Sequence, residues 1–525
     1  PHFFVSVVYF INVWATTYLT SKIPQAMKVL IPLLWPLATP HHETDLEIAQ
    51  RHLNCGDTVH LLTCTSSIPA CVGKLQHDAK TCLRCIERRE DGIDKLMPRP
   101  NTHNLLNLTS GDRAALQALP DSFEDQEELR SFKINGFDLG MGVLSTLISR
   151  TRKLNIDVAG KKSNLVCSMI HTGAAVYFSI QKHIRELKPD RVYVFNGRHN
   201  TTRAVLRACQ KTGTTCYTHD RGHDLHHFET YENTTPHDLN YIHQQVNQYW
   251  QNADPEEREA EADRFYEQRA AGYIPNWKSF TGDQSKEELP DGFDETKRNI
   301  AVYPSSEDEF AAIGEEWSNP VYSDQLTGLR KIAADLKTIP EIHLYVRVHP
   351  NLSEVDNAQT RGMRMLDNQE GVTVIPADSR VSSYALLHAS DCVLTFGSTM
   401  GIEATYWRKP SILAGMSLYK SLGGTHMPES HQEVLDMLQD PSLDPKPKEP
   451  ALKYGHYQAT KGTAFKYFEG TDVFEGRFKG QVITHRQNPL SKLAMRLTKS
   501  GKMQPVWKAI SRITHHRAKR KVGIE

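Results

Sequence analysis

Two hydroxyls set between glycines, Gly397-Ser398-Thr399-Met400-Gly401, are the first candidates for chemistry. An apolar, β-favouring run precedes them, Cys392 to Phe396, and a helical pattern follows, Ile402 to Trp407. A strand, a Gly/Ser/Thr turn and a helix bring hydroxyls and backbone N–H groups to the positive end of a helix dipole, which suits a phosphate. Glu403, one turn into the helix, has the chemistry to accept hydrogen bonds from a ribose or sugar hydroxyl. An ordinary capped turn would look the same, so the motif needs company. His343 to Asn351 supplies some, as a strand ending in Arg347 and His349-Pro350. Ile300 to Ser306 is another strand, ending in Ser305 and Ser306. Ligands of parallel α/β sheets bind at the carboxyl ends of strands, so three such ends predict a nucleotide-binding half.

The segments PSSEDEF (304–310), VRVHPN (346–351) and TFGSTMGIEATYWRKP (395–410) resemble bacterial capsule and surface-polysaccharide biosynthesis proteins of the GT-B glycosyltransferase type. The His-Pro pair and the Ser-Thr turn also resemble donor-nucleotide motifs of Kdo- and sialyltransferases, which favours a CMP-linked donor over a UDP- or GDP-linked one. The resemblance runs over roughly residues 27 to 440. It implies an α/β fold with two Rossmann-like domains facing across a cleft, and a glycan or lipid-linked acceptor. The donor-side residues would be Ser305, Ser306, Arg347, His349, Gly397, Ser398, Thr399 and Glu403. Enzymes of this type neutralise the leaving group with cations and dipoles, so no cofactor is expected for catalysis.

Asn196-Gly197-Arg198 and His219-Asp220-Arg221-Gly222 are similar to the acceptor-side motifs of the same family, with Asp220 where Glu is commoner. An inverting transfer needs a base for the acceptor hydroxyl. Asp220 is the first candidate, with His219 and His223 as competitors; Arg198, Arg221 and His237 complete the acceptor side. A structural Asp220–Arg221 ion pair is the plain alternative.

The elements that must position these groups read as two alternating strand–helix halves. The first half is expected over 27–240, with strands at 28–34, 58–64, 191–198 and 214–218 and a long helix at 164–187. No GxGxxG follows its first strand, so no dinucleotide site is expected there. Residues 241–297 read as a helical linker and hinge, and 298–440 as the nucleotide-sugar half, with strands at 300–303, 343–348, 372–375, 392–396 and 411–414. Residues 441–525 read as linker and basic amphipathic helices, with Lys and Arg far outnumbering acids beyond Arg486. Such a tail suits either an anionic membrane face or packing across the domains. Phe3 to Leu19 is apolar and uncharged, and Met27 looks like a natural start, so residues 1–26 are expected to be an extension outside the fold.

Cys64, Cys71, Cys82 and Cys85, the last two as CLRC, can make a structural zinc or iron–sulfur site. The chain has nine cysteines and no evident signal peptide, so a disulfide framework is not expected and a cytoplasmic protein is. At 525 residues, 39% hydrophobic and 24% charged, it should form two or three globular domains. A formal net charge of zero gives no field for nucleic acid. Two other functions stay open: a nucleotide-sugar epimerase on the same fold, and a polysaccharide-assembly subunit without turnover. The absence of HExxH or a similar pair weighs against a metal hydrolase built on the His-rich stretch 219–243.

Overall fold

A computed structural model describes residues 26–159, 163–484, 498 and 503–524. The proposed extension 1–26 lies outside the described residues, Ala26 excepted. The first half runs β1 (Lys28–Leu33), α1 (His41–Asn54), β2 (Thr58–Thr63), α2 (Ala79–Ile93), β3 (Asn101–Asn104), α3 (Ser110–Gln117), α4 (Gln126–Ser131), α5 (Leu139–Thr151), α6 (Ser163–Leu187), β4 (Arg191–Phe195), α7 (Asn200–Thr212), β5 (Thr215–Arg221) and β6 (His227–Glu232). Helices α8 (Leu239–Asn252) and α9 (Pro255–Ala270) lead to the second half. That half holds β7 (Arg298–Tyr303), α10 (Gln325–Leu336), β8 (Ile342–Arg347), α11 (Ala358–Leu366), β9 (Val372–Ile375), α12 (Ser383–Ala389), β10 (Cys392–Thr395), α13 (Met400–Tyr406), β11 (Ser411–Leu413) and α14 (His431–Gln439). Helix α15 (Glu449–Thr460), strands β12 (Thr463–Ala464), β13 (Phe468–Asp472) and β14 (Glu475–Phe478), and α16 (Gln504–Lys521) complete the chain.

Both sheets are wound for ligand binding at strand ends. The first has order β12-β6-β5-β4-β1-β2-β3, parallel from β5 to β3 and antiparallel at β6 and β12. The second, β11-β10-β7-β8-β9, is wholly parallel. Near-continuous apolar strands such as Lys28–Leu33 are what a sheet covered on both faces requires. Helices α5, α6 and α7 cover one face of the first sheet; α1 and the β13–β14 hairpin cover the other. The second sheet has its own two-sided core. Aspartate and serine caps start the connecting helices: Asp238 for α8, Asp254 for α9, Asp324 for α10 and Ser382 for α12.

Residues 449–478 depart from the expected linker, while α16 is a basic helix as expected. Helix α15 packs along α8 and α9, and Tyr266 of α9 donates from its hydroxyl to the Ala451 carbonyl at 2.6 Å. The chain thereby crosses back, adds β12 to the edge of the first sheet, and folds β13–β14 over α1. One carboxylate fixes that return. Glu47, buried on α1, accepts backbone N–H bonds from Lys466 (2.8 Å), Tyr467 (2.7 Å) and Phe468 (3.1 Å), and pairs with Arg51 at 2.7 Å. Periodicity carries no trace of this, because a two-residue edge strand has no period to read.

Three amides on one buried carboxylate make Glu47→Ala costly. We expect a loss of about 2–3 kcal/mol, read as a lower thermal midpoint with earlier proteolytic cutting between residues 460 and 484.

Candidate active site

A small recess of about 70 Å³ opens where the strands of the second half end. Its walls come from Tyr303 and Pro304 at the end of β7, Arg347 and His349 at the end of β8, Ser398 and Thr399 after β10, Tyr384 of α12 and Arg269 of α9. The fold thus brings Arg347, His349, Ser398 and Thr399 together, as the strand-end argument expects. The turn that presents Ser398 needs glycine before it: a Cβ on Gly397 would stand 2.8 Å from the Met416 carbonyl oxygen.

Arg347 is 2% exposed. Its guanidinium donates to the carbonyls of Pro376 and Ser379, the latter at 3.0 Å, and its buried Nε has no partner. Burial lowers its pKa to about 10, so it stays charged at neutral pH. His349 accepts the Asn351 N–H on Nδ1 at 3.1 Å. Burial, with Arg347, Arg152 and Arg269 nearby, brings its pKa down to about 4. The ring is therefore neutral at pH 7, and with Nδ1 accepting, Nε2 carries the proton and is a donor.

Glu403 is a correction. It is fully enclosed and cannot meet a ribose. Arg269 donates to its Oε1 through Nη2 at 3.0 Å and Nε at 3.1 Å, and Thr399 donates to the same oxygen at 2.8 Å. Tyr384 donates to Oε2. Burial alone would lower the Arg269 pKa; the Glu403 charge outweighs it and raises it. Arg269 also donates to Thr399 Oγ1 at 3.0 Å, so the pair locks the Ser-Thr turn from behind. Arg269 and Tyr384 were missed from sequence, since an arginine inside PEEREAEADRFYEQRA looks like any solvated helix charge. Helix α13 begins at Met400 and spans seven residues, so its dipole is weak.

The two serines after β7 are corrections too. Ser306 is tied to Asp308 at 2.8 Å and to Arg152 of the first half at 2.9 Å, while Arg152 pairs with Asp308 at 2.6 Å. Ser305 has a buried, unpartnered Oγ but lines a different cavity. That cavity, about 860 Å³, lies between the halves, bounded by Gln126, Arg130 and Lys153 on one side and Glu307, Trp317 and Arg330 on the other. Burial, then Asp324 and Asp308, raises Glu307 to about 7. Glu307 was overlooked in the acid run Glu307-Asp308-Glu309. The smaller recess differs in holding a buried cation with no carboxylate on it, Arg347, whereas Lys153 and Arg330 of the larger cavity are exposed.

On the first half, Asp220 stands half-buried at the end of β5 with both oxygens held. Asn196 Nδ2 donates to Oδ2 at 2.7 Å and the Arg221 backbone N–H to Oδ1 at 2.8 Å. The Asp220–Arg221 contact is thus through the backbone. The Arg221 guanidinium turns away, donating to the carbonyls of Thr39 (3.2 Å) and Val473 (2.7 Å) between Trp277 and Phe474. Asn196 (φ 56°) and Gly197 (φ 78°) form the left-handed turn that sets the Asn196 amide beneath Asp220.

Two acceptor-side expectations change. His219 is wholly buried, with Nε2 on Asp45 at 2.8 Å, so it does not face the cleft as a base. Arg198 is buried between Ser145 (3.0 Å) and Ser149 (3.2 Å) and donates to the Glu309 carbonyl of the second half at 2.8 Å. It fastens the halves and does not reach into open space. His237 keeps a buried, unpartnered Nε2, and burial with Arg198 lowers its pKa to about 3. Its carbonyl accepts from Trp317 Nε1 across the halves at 2.9 Å. His223 bonds to the Lys461 carbonyl at 2.9 Å.

Two Rossmann-like halves, a cleft between them and a helix crossing back define a GT-B-like α/β architecture. No family model matches the chain, and no curated protein does. Among solved structures it is similar to the β-Kdo 2,4 transferase KpsC of Thermosulfurimonas dismutans, at 14% identity over 58% of this chain and 87% of that one, with a TM-score of 0.34. It is also similar to a UDP-GlcNAc 2-epimerase of Neisseria meningitidis bound to UDP-GlcNAc (11%, 82% and 96%, TM-score 0.26) and to Acinetobacter baumannii MurG (10%, 83% and 96%, TM-score 0.25). Likeness at this level carries no inference about chemistry, which rests on the residues.

Arg269→Met should destabilise the protein by about 3–5 kcal/mol, because it strands a buried carboxylate. Arg269→Met with Glu403→Gln should recover most of that loss, as read in a double-mutant cycle of thermal or denaturant midpoints.

Proposed function

We propose that the protein is a glycosyltransferase that moves a sugar from a nucleotide-sugar donor to a growing surface glycan or lipid-linked acceptor. One observation carries the reading. The recess of the second half holds a buried arginine with an unpartnered Nε, Arg347, beside the His349 Nε2–H donor and the Ser398 and Thr399 hydroxyls. A buried cation bonded only to carbonyls is costly until an anion arrives. The recess is phosphoryl-sized, which favours a nucleoside monophosphate leaving group, hence a CMP-linked donor.

In the proposed step Asp220 takes the proton of the acceptor hydroxyl. The oxygen attacks the anomeric carbon, the carbon–oxygen bond to the phosphate breaks, and the electron pair leaves on the phosphate. Arg347, the His349 Nε2–H and the Ser398 hydroxyl stabilise that charge, with Thr399 holding the turn through Glu403, so a catalytic metal is not required. Asn196 and the Arg221 N–H hold Asp220 in one orientation and leave each oxygen a free lone pair.

The C-terminal helix supports work at an anionic bilayer surface. On α16, Trp507 and Ala518 are buried, as is Val522 just after it, while Val506 (43% exposed), Ile510 (37%) and Ile513 (55%) share the outward face with Arg517, Arg520 and Lys521. An apolar stripe ringed by cations with no acid on the helix suits anionic headgroups over an acyl boundary. Leu490, Leu493, Met495 and Leu497 lie outside the described residues. Among the described residues no helix is long and apolar enough to cross a membrane.

A thermal-shift series with CMP, UDP, GDP and ADP tests the donor site. CMP at a hundred times its dissociation constant should add about 2.7 kcal/mol to wild type and nothing to Ser398→Ala/Thr399→Ala. Asp220→Asn should keep that binding and lose transfer by about a hundred- to ten-thousand-fold. Isomerisation of a nucleotide sugar without acceptor would replace the reading with an epimerase, and binding without turnover with an assembly subunit. Separately, co-sedimentation with vesicles containing phosphatidylglycerol should fall at least several-fold in Ile510→Ser/Ile513→Ser and at high salt, with nucleotide binding unchanged.

A further inference from the structure

Away from the cleft, four thiols gather where β1 and β2 end. Cys64 follows β2, Cys71 sits in the loop beyond it, and Cys82 and Cys85 lie three apart on α2. All four line one cavity of about 270 Å³, walled by apolar Leu33, Ile68, Val72 and Ile86, with Lys74 and Arg150 at its edge. None is in a disulfide. The Cys71 thiol is pushed up to about 11 by burial, and the neighbouring thiols Cys64 and Cys82 add to the shift.

The spacing separates two kinds of ligand. Zinc with Zn–S bonds of about 2.3 Å would draw its four sulfurs to within about 3.8 Å of one another. Among the described residues, two sets of three ligand atoms lie mutually within 4.8 Å, Asp121–Cys167–His171 and His223–Asp224–His227, and neither contains any of these cysteines. No three of the four sulfurs are that close to one another, yet all four border the same cavity. A cuboidal iron–sulfur cluster needs its thiolates held apart at its corners, an apolar wall, and cations to offset its negative charge. Lys74 and Arg150 supply the last, and Arg89 braces the Cys64 carbonyl at 2.5 Å.

We propose that Cys64, Cys71, Cys82 and Cys85 bind a [4Fe–4S] cluster. It would join the end of β2 to α2 and stiffen the loop Leu34–Ala38, which forms another wall of the cavity. Trp35 in that loop packs on Phe195 and His199, with ring centroids 4.7 and 5.3 Å away, so the cluster would brace the segment beside the acceptor side. It would also brace the seat of α16, whose Ser511 and Thr514 bond to Ala79 and His77 at the start of α2.

The test is anaerobic isolation of the full chain, with iron, acid-labile sulfide and zinc assayed on the same sample. About four iron and four sulfide per chain, with an electron paramagnetic resonance signal on reduction, is the expected result. Cys82→Ser/Cys85→Ser should lose both, while Cys55→Ser and Cys392→Ser keep them. Stoichiometric zinc without iron would overturn the proposal, as would a folded chain with neither metal after anaerobic reconstitution with iron and sulfide. The wild-type assay decides even if the cysteine variants fail to fold.

Discussion

A buried ion pair sets the geometry of the second half. Glu403 has no contact with solvent, and its charge is tolerable only because Arg269, Thr399 and Tyr384 converge on it. Arg269 arrives from α9, the helix that enters from the first half, so the pair also pins the crossing to the turn after β10. Such a pair adds little net stability, because desolvation cancels most of the attraction. What it provides is position. The Ser-Thr turn cannot rotate without uncovering a carboxylate, and the recess keeps its shape without a ligand.

A second set of cations works across the halves. Arg152, Arg198 and Arg203, all on the first half, reach the segment after β7, bonding Asp308, the Glu309 carbonyl and the Ile313 carbonyl. Arg203 and Arg207 share Asp138, whose carboxyl is held far below its ordinary range: burial opposes ionisation, and the two guanidiniums overcome it. The segment that follows the first strand of the second half is therefore held by the first half. Hinge motion in a fold of this kind must break or slide these bonds, and several end on backbone carbonyls, which tolerate sliding better than a bidentate carboxylate would.

The regular parts of this arrangement were legible in the sequence. All five strands expected for the second half form its parallel sheet, because buried parallel strands are apolar runs ended by polar turns. His349, Arg347, Ser398 and Thr399 meet because strand ends meet in such a sheet. The failures share another cause. Glu403, His219, Ser306 and Arg198 are polar residues in the right places, but partners distant in sequence (Arg269, Asp45, Arg152 and Glu309) have claimed them. No local pattern records a partner a hundred residues away. The short strands β3 and β12 were missed for a simpler reason: they are two to four residues long, mostly polar, and sit at the two edges of the sheet.

The return of the chain to its first sheet has a consequence for synthesis. Strand β6 lacks its neighbour until Thr463 is made, and Glu47 waits in an apolar setting for amides more than four hundred residues downstream. The second half, enclosed between α9 and α15, has no such debt. On a ribosome it can finish folding first, although it is translated later. The early-made half meanwhile carries an open strand edge through much of translation, where strand pairing with another chain is the hazard. The topology thus makes the nascent N-terminal half, rather than the finished protein, the form most exposed to aggregation.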